Sequence, residues 1–268
     1  MKKLFVLLVL LTAAFGAQAQ SGFDHSHAAW SNLLKKNVAW TANGNSSSVD
    51  YAGFKNDEAK LNAYVAQLSA VKETEFKSWT THQQQAFLIN AYNAQTVKLI
   101  LSKYPDLKSI KDIGSVFSSP WSKPFFSLLG QKRSLDDVEH KLLRGAKNFN
   151  EPRVYFAANC ASIGCPALRP EAYEAIKFDA QLEDQSKRFL SDRSRNHFDK
   201  AEDAFYLSSI FDWYGEDFGK GPNAKNVSEF LARYAGSLGL SNAEKERLKK
   251  AQIDIEFLDY NWSLNKTK

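Results

Sequence analysis

Apolar residues recur at intervals of three and four in two segments near the start of the chain, residues 23–38 and 57–71. This spacing places the apolar side chains on one face of a helix, so it predicts two amphipathic helices. The run NGNSSSVDYAG between them is rich in Gly, Asn and Ser and predicts a loop.

A longer helix is predicted for residues 81–103, with Thr80 or Thr81 as N-cap and Tyr104-Pro105 as the stop. Its sequence, THQQQAFLINAYNAQTVKLILSK, is apolar on nearly every side. A helix of this kind is typical of a protein interior.

The middle of the chain predicts a hairpin followed by a helix. The segment KPFFSLLGQKRS predicts two short strands with a turn at Leu129-Gly130. The next segment, SLDDVEHKLLRG, predicts a helix with Ser134 as N-cap and Gly145 as the stop.

The rest of the chain mixes apolar runs with polar turns. The run RVYFAA, residues 153–158, follows Pro152 and predicts a buried, central strand. Further predicted elements are a hairpin over 196–209, helices near 226–236 and 242–251, and a strand over 253–260. Because strands and helices do not alternate regularly, the pattern predicts an α+β fold with a mostly antiparallel sheet and surrounding helices.

The N-terminus has the three parts of a secretory signal peptide: Lys2 and Lys3, an apolar run over 4–15, and the small-x-small site 17–19. We therefore expect residues 1–19 to be removed and the protein to be periplasmic or secreted. The remaining residues 20–268 suit a single α+β domain with an N-terminal helical elaboration.

The charge is nearly balanced, with 35 basic and 30 acidic residues and a formal net charge of +5. Removal of Lys2 and Lys3 would lower it to +3. Without a basic run or a motif of the usual readers, we expect no nucleic-acid partner. No stretch after the N-terminus has the roughly 20 apolar residues of a spanning helix, so we expect no membrane span.

Two amides lie on the apolar face of the predicted helix 81–103, at Asn90 and Asn93. A buried amide without a partner costs roughly 1–3 kcal/mol, so both side chains must meet polar groups. They either bond the backbone of a neighbouring loop or donate to an oxyanion or substrate amide.

The predicted helix 134–145 carries several titratable side chains. Glu139 leans toward its apolar side, and His140 lies one turn from Asp136 and one turn from Arg144. One interpretation is a surface row of ion pairs, with Glu139 bonded to an arginine. The other is a base, His140, oriented by Asp136 or Glu139.

The stretch NCASIGCP holds the two cysteines, Cys160 and Cys165. In an exported protein an isolated pair is most simply a disulfide. Closure of so short a loop is worth only about 2 kcal/mol, which leaves room for a redox-labile or catalytic thiol. Small neighbours and a preceding strand would suit a nucleophile, and we expect Cys160 to be partly free and more reactive than Cys165.

Other candidates are less specific. His25 and His27 lack a third nearby ligand for a metal. The cluster FDWYGEDF, residues 211–218, predicts either a packed helix end or a sugar-binding surface. No GxSxG, P-loop or HExxH pattern is present, and we expect no cofactor and no metal.

Six segments together resemble a bacterial family catalogued as a domain of unknown function, number 547. They are VDYAGF, AFLINAYNAQTVKLIL, SLDDVEHKLLRG, PRVYFAANCASIGCPALRPEAY, IFDWYGEDF and YNWSLN. The resemblance implies that the Asn90/Asn93, Glu139/His140 and Cys160/Cys165 segments are motif blocks of the family. A cysteine, a histidine and amides on an α+β scaffold are also similar to the papain and transglutaminase-like superfamily, in permuted order.

Two functional hypotheses follow. In the first, the protein is a thiol-dependent hydrolase or acyl transferase acting on amide or ester bonds. Cys160 attacks, His140 takes its proton with Glu139 beside it, and Asn90 or Asn93 stabilises the oxyanion. In the second, it is a non-catalytic module that binds a peptide, glycan or small ligand, and Cys160 and Cys165 form a disulfide. Residues 159–166, which carry both cysteines, are called the cysteine loop below. Both hypotheses expect this loop to converge on one cleft with the predicted helix 134–145 and the Asn90/Asn93 face of the helix 81–103.

Overall fold

The structure is a computed structural model that describes residues 22–115, 118–145, 149–220 and 224–267. The predicted signal peptide, 1–19, lies outside the described residues. Within them, no helix combines the length and the apolar character that crossing a membrane requires.

Helices make up most of the regular structure. The α-helices are α1 Ala28–Asn37, α2 Tyr51–Asn56, α3 Glu58–Ala70, α4 Glu73–Ser78, α5 Thr81–Leu101, α6 Phe178–Ser191, α7 Ile210–Trp213, α8 Gly215–Phe218, α9 Val227–Arg233, α10 Ala235–Leu238 and α11 Asn242–Lys249. A π-helical segment spans Asp137–Leu143, and 3₁₀ turns span Ile110–Ile113, Pro152–Phe156 and Ala175–Lys177.

The strands are short and form three separate small sheets rather than one. They are β1 Val38–Trp40, β2 Ser47–Val49, β3 Phe126–Leu128, β4 Gln131–Arg133, β5 His197–Asp199, β6 Ala204–Ser208 and β7 Asp254–Leu258. Three pairings are antiparallel, β1–β2, β3–β4 and β5–β6, and the β6–β7 pairing is parallel. The predicted α+β class, mostly antiparallel, is confirmed.

Helix α5 is buried along most of its length, as its sequence predicts. Thr80 and Gln83 form a reciprocal capping box at its start, with the Thr80 side chain accepting from the Gln83 N–H and the Gln83 side chain accepting from the Thr80 N–H. The helix packs against α2, α3 and the π-helical segment. It therefore carries side chains into the centre of the molecule.

The prediction of a central strand over 153–158 is wrong, because residues 152–156 form a 3₁₀ turn. Pro152 has no N–H and a fixed φ, which suits the first position of a helical turn. Glu151 caps the turn by accepting the N–H of Arg153 and also pairs with the Arg153 guanidinium. The backbone bonds stay local, with the Ala157 N–H donating to the Val154 carbonyl at 3.0 Å.

The predicted helix after Ser134 is present, and much of it is π-helical. Ser134 and Asp137 bond each other reciprocally: the Asp137 N–H donates to the Ser134 hydroxyl at 3.1 Å, and the Ser134 N–H donates to the Asp137 carboxylate at 2.9 Å. Near its end, the Arg144 N–H donates to the Glu139 carbonyl, five residues back, at 2.9 Å. Wider turns of this kind occur frequently at functional sites.

The buried apolar residues form two clusters. The first core cluster contains the interiors of α1, α3 and α5, and the second contains those of β6, α7, α8 and α9. The 152–157 segment contributes to both, with Val154 and Ala157 in the first and Tyr155 and Phe156 in the second. This segment therefore joins the two clusters.

Candidate functional site

A cleft of about 310 Å³ opens where the two core clusters meet. It is lined by side chains from α5, residues 119–121, residues 136–140, residues 155–158, the cysteine loop, residues 210–214 and the residues after β7. They are Tyr92, Ser119, Trp121, Asp136, Glu139, His140, Tyr155, Ala158, Cys160, Cys165, Pro166, Ile210, Trp213, Tyr214, Tyr260 and Trp262.

The helix 134–145 and the cysteine loop converge on this cleft as predicted, and Glu139, His140 and Cys160 all line it. The prediction that Asn90 and Asn93 face the cleft is wrong, because neither side chain lines it. Tyr92, which lies between them in the sequence, does.

Both asparagines are buried and bond backbone groups. Asn90 accepts the N–H of Tyr173 at 3.0 Å and donates to the Tyr173 carbonyl at 2.8 Å. Asn93 accepts the N–H of Asn159 at 2.8 Å and donates to the Ala157 carbonyl at 3.0 Å. Of the two interpretations, the structure shows the backbone-bonding one, and Asn93 supports the cysteine loop from behind the cleft.

Cys160 and Cys165 form a disulfide with an S–S distance of 2.04 Å, and neither cysteine is free. The disulfide therefore contradicts the expectation of a partly free Cys160. Asn159 holds the loop at its start: its side chain donates to the Pro166 carbonyl at 2.7 Å and accepts the Ala161 N–H at 3.0 Å. These contacts close the loop independently of the sulfur atoms.

Tyr260 lies across the disulfide. Its hydroxyl is 3.2 Å from Cys160 Sγ and 3.1 Å from Cys165 Sγ. The Ser162 hydroxyl lies 3.2 Å from Cys160 Sγ. Gly164 lets the ring approach, because a Cβ there would lie 2.9 Å from the Tyr260 ring. The sulfur atoms thus face two hydroxyl donors.

Glu139 is half-buried and held by two tyrosines. The Tyr214 hydroxyl donates to Glu139 Oε1 at 2.5 Å, and the Tyr92 hydroxyl also bonds this carboxylate. Burial, with the nearby Glu139 charge, raises the pKa of both tyrosines well above the usual range. Both phenols therefore stay protonated and act as donors.

His140 lies at the rim with 41% of its side chain exposed, and its Nε2 is 4.0 Å from the Asp136 carboxylate. Burial raises the pKa of Asp136, and the nearby His140 charge opposes this shift. The predicted ion-pair row does not extend to Arg144, which binds Asp217 at 2.6 Å instead. His140 is thus an accessible imidazole with one loosely placed acidic neighbour.

Aromatic rings form the other wall of the cleft. The ring centre of Tyr260 lies 4.8 Å from that of Trp213 and 4.5 Å from that of Trp262. Trp121 packs edge-on against Trp262 at 5.5 Å. Trp213 is 43% exposed, which is unusual for a tryptophan and leaves part of this wall open to a ligand.

Comparison with protein families gives one match. Residues 76–190 match the model of a family described as a protein of unknown function, DUF547. The matched segment belongs to this family. The searches of curated proteins and of solved structures found no match. The similarity to papain and transglutaminase-like proteins therefore stays a hypothesis.

The DUF547 segment supplies only part of the cleft. It contributes Tyr92, Glu139, His140 and the disulfide, whereas the wall formed by Trp213, Tyr214, Tyr260 and Trp262 lies after its last residue, 190. Sequence reasoning missed the role of most of these aromatic residues. The aromatic segments FDWYGEDF and YNWSLN were the available signals, because they concentrate large rings beside polar residues.

The histidine pair near the N-terminus packs among aromatic rings, with His25 against Phe23 and Trp79. Nowhere in the described ranges do three or more His, Cys, Asp or Glu side chains lie together as metal ligands would. His27 is buried, and its Nδ1 lies 2.8 Å from the Tyr64 hydroxyl. His27 is therefore part of the packing between α1 and α3.

Proposed function

We propose that the cleft binds a small organic ligand and that the protein acts as a non-catalytic binding module with the Cys160–Cys165 disulfide intact. The observation that carries this proposal is the lining: seven tyrosine and tryptophan rings with Asp136, Glu139 and His140 in one concave site. Small-molecule sites combine such apolar walls with a few well-placed polar groups.

The size of the cleft limits the ligand. A volume of about 310 Å³ lies at the lower end of the range for ligand pockets. It suits one small molecule, one sugar ring or one side chain of a peptide. A flat or apolar portion of such a ligand would stack on the exposed face of Trp213, and its polar groups would bond Glu139 or His140.

A ligand screen tests this proposal. Thermal shift and tryptophan fluorescence would be measured with monosaccharides, amino acids, dipeptides and small amines. We expect at least one class to bind and Trp213→Ala to weaken that binding by about tenfold, because a stacked ring contributes roughly 1–1.5 kcal/mol.

Phe257→Ala is the matched control, since Phe257 is 45% exposed on β7 and does not line the cleft. Its binding should equal that of the parent protein. The proposal fails if no compound binds, or if Trp213→Ala and Phe257→Ala bind every hit equally well.

A second function, thiol-dependent hydrolysis or acyl transfer at amide or ester bonds, is favoured by one observation. Cys160, Glu139 and His140 line the same cleft, and two hydroxyls contact Cys160 Sγ. These hydroxyls would stabilise a thiolate. Asn90 and Asn93 would not stabilise the oxyanion, because both amides are already bonded to backbone.

This reaction requires a reductant. An external dithiol would be oxidised as it breaks the S–S bond, leaving two thiols. Cys160 would then give its proton to His140 and form an S–C bond at the carbonyl carbon. The C–O or C–N bond would break, the leaving group would take the proton from His140, and water would hydrolyse the thioester.

Hydrolysis of a p-nitrophenyl ester with and without dithiothreitol tests the second function. Activity that appears only with reductant and is lost in Cys160→Ser but kept in Cys165→Ser would support it. Equal rates in both variants and in the parent protein would exclude a Cys160 nucleophile.

We also propose that the protein is exported. The N-terminal pattern supports this, and a disulfide is typical of oxidising compartments outside the cytoplasm. Intact-mass analysis of protein expressed from the full sequence tests it. Export predicts a chain that begins near Gln20, and a mass that includes residues 1–19 would contradict it.

A further inference from the structure

The described lining of the cleft contains carboxylates but no Lys or Arg side chain. Among the described residues that line it, Asp136 and Glu139 are acidic and none is Lys or Arg. The polar partners of Glu139 are the hydroxyls of Tyr92 and Tyr214, which are neutral donors. No Lys or Arg in the described part of the chain pairs with either carboxylate within 4.0 Å.

The cationic side chains closest in sequence to Asp136 and Glu139 pair with other carboxylates. Lys141 pairs with Asp137 at 2.6 Å, and Arg144 pairs with Asp217 at 2.6 Å. A partly buried carboxylate usually has a cationic partner, because burial of a lone charge is costly. The Glu139 carboxylate is thus available to pair with a positively charged ligand.

The aromatic wall favours the same kind of ligand. The faces of tryptophan and tyrosine rings attract cations, most strongly where water is excluded. Two cations of the chain already use these rings: Lys111 Nζ lies 3.8 Å from the centre of Trp262, and the Arg144 guanidinium lies 5.7 Å from that of Tyr214. Neither cation lines the cleft.

We propose that the ligand of this cleft is a small organic cation, an ammonium group that sits against the aromatic wall and faces Glu139. This inference rests on the proposed binding function and narrows its ligand class. The ammonium could belong to a free amine or to a lysine side chain of a peptide, since both present the same chemistry to the rings and the carboxylate.

Choline and its neutral isostere 3,3-dimethylbutan-1-ol test the charge requirement on the unaltered protein. The two molecules have nearly the same shape and differ in the charged nitrogen. Tryptophan fluorescence titration or calorimetry should show choline binding at least about tenfold tighter, as a desolvated cation–π contact predicts. Equal affinity for both would overturn the inference.

Glu139→Gln tests the carboxylate, because it removes the charge and keeps the size. Choline binding should weaken by about tenfold while binding of the isostere stays unchanged. Glu246→Gln is the matched control, the same substitution on exposed α11 outside the cleft, and should change neither affinity.

A third titration separates the two sources of the ammonium. Acetyl-Ala-Lys-Ala-amide binding tighter than choline and butylamine would indicate a peptide lysine, and the reverse order would indicate a free amine. If no cation binds while the ligand screen yields a neutral compound sensitive to Trp213→Ala, the cation inference fails and the binding function stands. If the screen is also empty, both fail.

Discussion

At the scale of single residues, the buried amides show how the cleft is held in place. Asn93 bridges the Ala157 carbonyl and the Asn159 N–H, so one side chain of α5 fixes the chain just before Cys160. It is 2% exposed, and water cannot easily replace either bond. The amide thus has a structural role next to the site.

Asn93→Ala should lower the free energy of unfolding by about 2–4 kcal/mol, because it leaves two buried backbone groups unpaired at roughly 1–3 kcal/mol each. Urea unfolding followed by far-UV circular dichroism measures this. Asn242→Ala, an exposed asparagine on α11, is the control and should change stability by less than about 0.5 kcal/mol. A similarly small effect for Asn93→Ala would show that its bonds are dispensable.

The cysteines differ in accessibility. Cys160 is partly exposed and lines the cleft with the Tyr260 hydroxyl nearby, whereas Cys165 is 3% exposed. Without reductant, both should resist iodoacetamide. After reduction, Cys160 should be alkylated faster, and Tyr260→Phe should slow it about three- to fivefold at neutral pH by removing a donor to the thiolate.

Peptide mass spectrometry over a labelling time course measures these rates. Tyr206→Phe, which removes a hydroxyl on β6 outside the cleft, is the control and should leave the Cys160 rate unchanged. Equal labelling of the two cysteines after reduction would argue against a reactive Cys160.

At this scale the sequence was informative where the evidence was local. The positions of Asn90 and Asn93 on an apolar stripe required polar partners, and the structure supplies them. Tyr214 could not be assigned to Glu139, because 75 residues separate them and no local pattern links the two positions. The same holds for Tyr260 and Cys160, which are 100 residues apart.

At the scale of elements, the segment after Ser134 positions the acidic side of the cleft. Its first turn is fixed by the reciprocal bonds between Ser134 and Asp137. Glu139 and His140 follow within two turns, so their positions depend on where this helix begins. A local capping pattern made the start predictable, but the π-helical turns that follow had no signal in the sequence.

Ser134→Ala should lower the free energy of unfolding by about 1–2 kcal/mol through loss of the cap and should also weaken ligand binding in the cleft. Ser241→Ala is a matched control, because Ser241 and Glu244 form the same capping box on α11, away from the cleft. It should cost similar stability and leave binding unchanged. Urea unfolding and titration with a ligand from the screen measure the two effects, and equal binding by both variants would contradict the link.

The wrongly predicted strand has a simple cause. A run of five apolar residues after Arg153 has no period that separates a strand from a buried turn. Pro152 and the capping side chain of Glu151 decide in favour of the 3₁₀ turn, and no strand lies beside the segment to pair with it. Among the described residues, this lack of a pairing strand depends on contacts distant in sequence, which the local pattern does not contain.

At the scale of the whole molecule, the cleft is a consequence of having two core clusters. Tyr92 belongs to the first, Tyr155 and Ile210 to the second, and all three line the space between them. The sequence predicted the α+β class from the types of its elements. It also predicted that the helix 134–145 and the cysteine loop converge on one cleft. It did not predict the aromatic wall, because the lining combines residues as far apart in the chain as Tyr92 and Trp262.

Stability should also depend on pH through a residue that does not line the cleft. His27 is buried beside Tyr64, with Asp24 and His25 nearby, and burial lowers its pKa to about 3 although Asp24 opposes the shift. Its buried Nε2 meets no acceptor in the described residues. The imidazole must therefore stay neutral in the folded protein.

Between pH 6.5 and about 3 the unfolded chain binds a proton at this position that the folded chain excludes. The free energy of unfolding should thus fall as pH decreases through this window, by up to about 1.4 kcal/mol per pH unit from His27 alone. His27→Gln removes the titration and keeps a polar group for Tyr64, so its stability should fall less steeply.

Urea unfolding at pH 7, 5.5 and 4 measures both slopes, and carboxylates common to the two proteins cancel in the comparison. His82→Gln, at a side chain that is 46% exposed, should follow the parent curve. Parallel curves for His27→Gln and the parent protein would mean that His27 gains its proton without unfolding, and that the packing of α1 on α3 admits a charge.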